Sequence, residues 1–203
     1  REQNGNNFVL PFAPGRNVLG ASSSWYDRSE KVESVIGHVF SDWSDNFSTE
    51  FKIASTTQAT GQNSLNGAEF PVMGVDVGDS NFLVFGPDRF RHGNELDQDF
   101  FQIKFVAEYS LGSHLLKAGV EREEVDVNNL FAQNAEGSYY FATVDDLANA
   151  LATEVSYNNA ITNDENDLRA IWGYDYTSIY FQDSWNARAD LDVDFGLRYD
   201  RYE

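Results

Sequence analysis

The 203 residues contain no cysteine, four prolines, one methionine and three histidines. Without cysteine there is no disulfide framework, no thiolate metal site and no cysteine nucleophile. His38, His92 and His114 lie far apart, no H-E-x-x-H occurs, and each reads as an ordinary polar or partly packed side chain. Cations are scarce, 14 Lys and Arg against 33 Asp and Glu, for a formal net charge of -19. A phosphate backbone is held by clustered Lys and Arg, so this balance argues against nucleic acid as a partner. Cationic ligands or divalent ions suit it better, and solvated acidic loops account for it with no ligand at all. There is no charged-then-apolar leader and no apolar run long enough for a transmembrane helix. A strand-built membrane protein is compatible with that, because a barrel strand needs only about 9–11 residues and shows lipid its alternate side chains. Phosphate-cradling and dinucleotide-binding glycine motifs are missing, and Gly78-Asp79-Ser80-Asn81-Phe82 lacks the last glycine of a nucleophile elbow.

What the chain does have is alternation, with 41% hydrophobic and 15% aromatic residues to support ordered structure. Leu191, Val193, Phe195, Leu197 and Tyr199 take every second position, with Asp192, Asp194, Gly196, Arg198 and Asp200 between them. That period of two predicts a strand with one apolar and one polar face. Thr177, Ile179, Phe181 and Trp185 share one parity in the segment before it, and Asn186 to Asp190 makes the joint of a long antiparallel hairpin. Upstream, Phe47, Thr49, Phe51 and Ile53 alternate with Ser48, Glu50, Lys52 and Ala54. Phe101, Ile103, Phe105, Ala107 and Tyr109 alternate with Gln102, Lys104, Val106 and Glu108, and Leu116, Ala118 and Val120 with Lys117, Gly119 and Glu121. Further strands are expected over Val18–Asp27, before a charged reversal at Asp27–Lys31, and over Val32–Asp42. Residues 1–15 read as a loop.

Short turns at Ser44, Leu111 and Ala187 contrast with long excursions at Gly61–Gly93 and Asn134–Gly173. The first excursion should carry a small hairpin from Phe70–Val77 and Phe82–Phe85. The second should carry a helix over Val144–Ala152 capped by Thr143. The expected fold is all-β: an antiparallel up-and-down transmembrane β-barrel fragment of about seven long strands, not closed, with long extracellular loops and one short helix. A soluble antiparallel sandwich would show the same two-face alternation.

Two segments carry a resemblance. Tyr180-Phe181-Gln182-Asp183-Ser184-Trp185, a polar turn and Gly196-Leu197-Arg198-Tyr199-Asp200 resemble a hairpin of TonB-dependent outer-membrane receptors. Phe85-Gly86-Pro87-Asp88-Arg89-Phe90-Arg91-His92-Gly93-Asn94-Glu95-Leu96, then Ala118-Gly119-Val120-Glu121 and Asn129-Leu130-Phe131, resemble the Oar-like branch of that family. The likeness runs from about Trp25 to the end. It implies that residues 1–203 are part of a barrel of about twenty-two strands, with plug, signal peptide and the last barrel strands outside this sequence. It also implies a Gram-negative outer membrane, TonB as partner of the full-length protein, and uptake of a bulky ligand. An adhesion or surface-interaction role of the outer loops is the alternative, and a soluble β-rich binding module or hydrolase a third.

The membrane reading makes specific demands. Lys52, Lys104, Lys117 and Arg198 fall on the parity opposite the large apolar residues, whereas Arg122, Glu124 and Asp126 take the outward parity. The crossing of that strand should therefore end near Val120. Trp25, Tyr26, Trp43, Tyr109, Trp172, Tyr174, Trp185, Tyr199 and Tyr202 are expected as interfacial girdles. For chemistry, Glu121, Glu123 and Glu124 supply carboxylates, but a polar lumen explains Glu121 and Glu123 without catalysis. Asn163-Asp164-Glu165-Asn166-Asp167 offers oxygen ligands for Ca²⁺ without the glycine-centred spacing of an EF-hand. Asn46-Phe47-Ser48 matches a glycosylation sequon by chance in a turn. No catalytic, cofactor or metal residue is assigned, no enzymatic activity is expected, and the substrate-binding residues are unknown from sequence.

Overall fold

A computed structural model describes residues 3–5 and 17–203 of the chain. In chain order the elements are β1 (Gln3–Gly5), β2 (Asn17–Gly20), β3 (Tyr26–Ser44), β4 (Phe47–Ser64), β5 (Val72–Gly78), β6 (Asn81–Phe85), β7 (Asn94–Leu111), β8 (His114–Phe131), β9 (Ser138–Phe141), α1 (Val144–Ala148), β10 (Glu154–Ser156), β11 (Ala170–Arg188) and β12 (Leu191–Tyr202). Two sheets result, one ordered β1-β3-β4-β7-β8-β11-β12 and one ordered β10-β9-β5-β6-β2. The first and last members of the large sheet, β1 and β12, do not pair with each other, so the sheet is open among the described residues.

The long strands exceed the lengths that alternation alone marked out. β3 and β11 have 19 residues each, and β4, β7 and β8 have 18. Strands of soluble domains cluster near 5–6 residues. Each long hairpin closes through two residues: Asp45-Asn46, Gly112-Ser113 and Ala189-Asp190. Gly112 has φ 62°, which supplies the left-handed step such a turn requires. The last hairpin pairs Ile179 with Tyr199, Phe181 with Leu197 and Trp185 with Val193, while Ser178 faces Asp200 and Tyr180 faces Arg198. The two parities read from the sequence are therefore the two faces of the ribbon.

One strand differs from expectation. The segment starting at Val18 is not a long strand of the large sheet: β2 stops at Gly20, a 3-10 turn follows over Ser22–Ser24, and β2 pairs in parallel with β6. The seventh place in the large sheet belongs to β1, which pairs with β3 at Asn4 and Asp27. Nor do Asp27–Lys31 reverse the chain; they lie inside β3, since charged residues are tolerated on a strand wherever both of its faces meet polar surroundings. Apart from β1, the loop expected over residues 1–15 lies outside the described residues.

The chain divides into two compact units. A ribbon unit comprises residues 32–58, 98–127 and 172–203, and a small-sheet unit comprises residues 1–31, 59–97 and 128–171. In the small-sheet unit, β5 and β6 form the expected hairpin through Asp79 and Ser80, both with positive φ (53° and 61°). Such a pair of left-handed residues is the turn that matches strand twist. Phe82 and Val84 are buried against Val72 and Tyr140, and Leu130, Ala132 and Ala135 bury against Leu168. The helix is shorter than the apolar spacing predicted: Thr143 caps it by accepting from the Asp146 N–H at 3.0 Å, but it ends at Ala148 because Ala150 is left-handed (φ 54°).

Candidate functional site

In the ribbon unit the usual burial is inverted. Ile179 (58% exposed), Phe195 (54%) and Leu197 (82%) stand open on the apolar face, and Phe51, Ile53 and Phe105 are exposed as well. A soluble sandwich would bury these side chains under a second layer, whereas among the described residues they stand exposed. An apolar face this continuous marks a surface that meets something other than water. Tyr109 pairs with Phe47 at 6.4 Å between ring centroids close to the short-turn end, where Trp43 also donates to Thr49 Oγ1 at 2.9 Å.

The opposite face is polar and knitted together. Glu50 accepts from Lys104 at 3.5 Å and bonds His38 at 3.0 Å, and Lys117 pairs with Glu108 at 2.7 Å. Glu121 accepts from Gln102 at 2.8 Å and Glu123 from Tyr174 Oη at 3.5 Å, so two of the three carboxylates nominated from sequence are held in cross-strand bonds. Arg198 bonds Asp200 at 2.8 Å and also Tyr176 Oη. Gly119 makes room for Tyr180, whose ring would lie 2.4 Å from a Cβ there. Tyr174 and Tyr176 both meet the Tyr202 ring in tilted contacts on this face, at 6.3 and 4.9 Å between centroids. The girdle assignment is corrected for Tyr174 and Tyr202, which belong to this inner cluster. It is also corrected for Tyr26, which is 6% exposed under Arg91. Glu124, the third carboxylate, pairs with Arg122 at 2.7 Å, and Arg122 reaches Asp175 at 3.0 Å on the apolar parity. This charged group ends the apolar band just beyond Val120.

One acidic residue breaks the pattern of the apolar face. Asp183 is directly opposite Phe195, on the parity of Phe181 and Trp185, yet it is only 5% exposed. A buried carboxylate needs a partner, and His114 Nδ1 supplies it at 2.9 Å, with the His114 ring stacked on Trp185 at 5.5 Å. The sequence held the signal for Asp183 in its parity, but nothing local could point to His114, 69 residues away.

In the small-sheet unit the Phe85–Leu96 segment is the hub. Gly86 (φ 92°) sits so close to Pro71 that a Cβ would lie 2.3 Å from the Pro71 carbonyl oxygen. Its N–H donates to Ser23 Oγ and its carbonyl accepts from Ser24 Oγ, both at 2.9 Å. Pro87 is fully buried. Asp88 accepts from the Phe90 N–H at 2.8 Å, and its carboxyl is pushed above its usual range by burial, which that bond and the nearby Arg91 and Arg89 only partly offset. Phe90 stacks on Phe131 at 6.1 Å, and the Arg91 guanidinium lies 4.1 Å from the Tyr26 ring centre. His92 is 6% exposed, its Nδ1 accepts from the Glu136 N–H at 3.2 Å, and burial pushes its pKa down to about 4. The ring is therefore neutral, with its proton on Nε2.

A cavity of about 380 Å³ opens beside this hub, lined mostly by polar groups from β4, the start of β7 and the 3-10 turn at Glu165–Leu168. Arg91, His92 and Ser64 line it, and each has a buried polar atom with no hydrogen-bond partner among the described residues: Arg91 Nε, His92 Nε2 and Ser64 Oγ. Glu165 lines the same cavity; burial first, and then the nearby Glu165 and Glu69 charges, raise the Glu136 carboxyl pKa. The acidic loop 163–167 is largely bonded to itself. Asp164 accepts from Asn166 N and Nδ2 at 2.9 and 3.0 Å, which lowers its pKa, and Asp167 bonds Thr162. Among the described residues no group of three or more acidic or histidine side chains is placed to hold a metal ion.

Residues 33–203 match the model of a family described as an outer membrane beta barrel domain. Neither a curated protein nor a solved structure matches the chain.

Proposed function

The chain belongs to the outer membrane beta barrel domain family and is a piece of barrel wall in the outer membrane of a Gram-negative bacterium, and on that premise we propose that it serves a TonB-dependent receptor that takes up a bulky ligand. The exposed apolar face of the ribbon meets lipid, and the charged, cross-linked face lines the lumen. The connections bearing the second sheet belong to the external surface that gathers ligand. The observation that carries the receptor reading is the pair of resemblances, the Gln182-Asp183 to Asp200 hairpin and the Phe85–Leu96 segment. The structure is in keeping with them, since the Phe85–Leu96 segment is the packing hub of the small-sheet unit. Its partners would be outer-membrane lipid, the remainder of its own barrel and plug, and TonB acting on the full-length protein. The role is mechanical and selective, with no catalytic step.

An Oar-like adhesion protein would use the same wall and differ in what its external loops touch. The test is made on the full-length protein. Purified periplasmic TonB domain should bind it in detergent, and a TonB-deficient strain should lose growth on the nutrient that the receptor supports. Absence of TonB binding, together with surface attachment that disappears when residues 65–93 are trimmed, would replace uptake by adhesion.

A further inference from the structure

Along β11 the odd positions Ile179, Phe181, Asp183 and Trp185 share the apolar face, so strict alternation would put Arg188 on the lumen side with Asn186. A bulge prevents this. The register shifts between Asn186 and Arg188, so that Asn186 still faces Asp192 while Arg188 faces Leu191. Cross-strand partners lie on one face, and bulges re-aim side chains in this way. Arg188 therefore joins Leu191, Val193 and Trp185 on the apolar face, at its short-turn edge, with 69% of its side chain exposed.

Trp185 is 39% exposed at the same edge and is held from one side. The His114 ring lies parallel to it, within 5° and 5.5 Å away, and is itself tied to the buried Asp183 carboxylate at 2.9 Å. A carboxylate on an apolar face is costly, and here it fixes the imidazole on which the indole rests. The indole Nε1–H and the guanidinium are donors with no acceptor capacity. The indole N–H has no partner among the described residues, and Arg188 meets Asp190 only through Nε at 3.6 Å, both side chains being exposed to screening solvent. Arg122, at the other edge of the apolar band, differs: Glu124 at 2.7 Å and Asp175 at 3.0 Å already answer its charge.

An occupant of this edge must offer anionic oxygen lone pairs to Arg188 and Trp185 and also lie against the apolar face that continues through Val193, Phe195 and Leu197. A free anion meets the first demand only, and a hydrocarbon the second only. We propose that Arg188 and Trp185 form a headgroup site for a phospholipid of the periplasmic leaflet, the side that short barrel turns face, with the phosphate on the two donors and the acyl chains along the ribbon. His114 and Asp183 are positioning residues for the indole. The site rests on the ribbon's apolar face meeting lipid, and it serves a receptor and an adhesin equally.

The test is native mass spectrometry of the full-length protein, delipidated in detergent and titrated with dioleoylphosphatidylglycerol, with dioleoylglycerol and inorganic phosphate as the apolar and anionic halves of that probe. Phosphatidylglycerol should be retained where dioleoylglycerol is not, and excess inorganic phosphate should not displace it. Arg188→Gln should weaken retention about fivefold, the share of one arginine near an anionic lipid surface, with thermal melting unchanged because the side chain is exposed. Arg122→Gln should retain lipid as the wild type does. Trp185→Phe, which keeps a ring and loses the N–H, should weaken retention by a smaller factor. His114→Ala should weaken it too and His114→Phe should recover it; both leave Asp183 without its imidazole, so recovery reports the ring beneath the indole. Equal retention of dioleoylglycerol, displacement by inorganic phosphate, or wild-type retention in Arg188→Gln overturns the proposal, and identical losses in the two His114 variants overturn the positioning role. TonB is not in the sample, so a negative result leaves the uptake reading standing, and the lipid-facing assignment of the ribbon is tested separately by the assembly of Phe195→Arg.

Discussion

The ribbon unit and the small-sheet unit solve opposite burial problems with the same β-structure. In the ribbon, Ile179, Phe181, Phe195 and Leu197 are exposed, while Glu50, Glu121 and Lys104 are half-buried in cross-strand bonds. In the small-sheet unit, Phe82, Val84, Val75 and Leu130 are buried, and the exposed positions include Asp164 and Asp167. The first arrangement is stable only where hydrocarbon replaces water on the apolar face, and the second is that of an ordinary water-soluble core. The contrast shows that alternation by itself states only that two faces differ. Which face is satisfied by what depends on the solvent next to it.

Placing a charge on the ribbon's apolar face should give the largest effect. Phe195→Arg costs about 2–4 kcal/mol at mid-membrane and should remove most of the full-length protein from the heat-modifiable, membrane-assembled fraction. Asp194→Arg, on the lumen parity one residue away, should assemble close to normally. Equal losses would erase the distinction between the two faces.

A smaller effect confined to the other unit is expected from Gly86→Ala. The Cβ would collide with Pro71 and force a left-handed backbone on alanine, a strain of about 1–3 kcal/mol. Trypsin cleavage after Arg89 and Arg91 should rise roughly tenfold or more, with membrane assembly unchanged. If assembly failed as well, the two units would not be separable in stability.

The smallest effect is on pH dependence. Burial lowers the His92 pKa from 6.5 to about 4, so between those values the unfolded chain binds the proton that the folded chain refuses. The contribution of His92 to stability is complete above pH 6.5 and is lost as pH falls towards 4. Asp88 and Glu136 act in the reverse sense, since their raised pKa values favour the folded state at lower pH. The His92 share is isolated by comparing thermal melting of the wild type with His92→Gln from pH 7 to 4.5. The wild type should lose more stability over that range, and parallel curves would mean that His92 is solvated.

Much of this was legible in the residues. The parities of Leu191–Tyr199 and Phe47–Ala54 named the faces correctly, and the turns at Asp45, Gly112 and Ala189 fell where short hairpins were expected. Tyr174 and Tyr202 were misplaced because nearness to a strand end identifies an interfacial ring only if its parity is outward, and theirs is inward. The Val18 segment was misplaced because its pairing with β6 is parallel and joins residues 64 apart, which no local pattern encodes. The cavity was hidden for the same reason: Ser64, His92 and Glu165 come from three separate parts of the chain.

The order of residues along single strands determined by itself which side chains share a face, where the hairpins turn and that no cysteine chemistry is available, because these depend on a period of two and on composition. Tertiary structure alone decided that His114 would answer Asp183, that β2 and β9 would complete a second sheet, and that Ser64, His92 and Glu165 would line one cavity. Those outcomes depend on register between distant strands, and register is set by the packing of whole faces rather than by any neighbour in sequence.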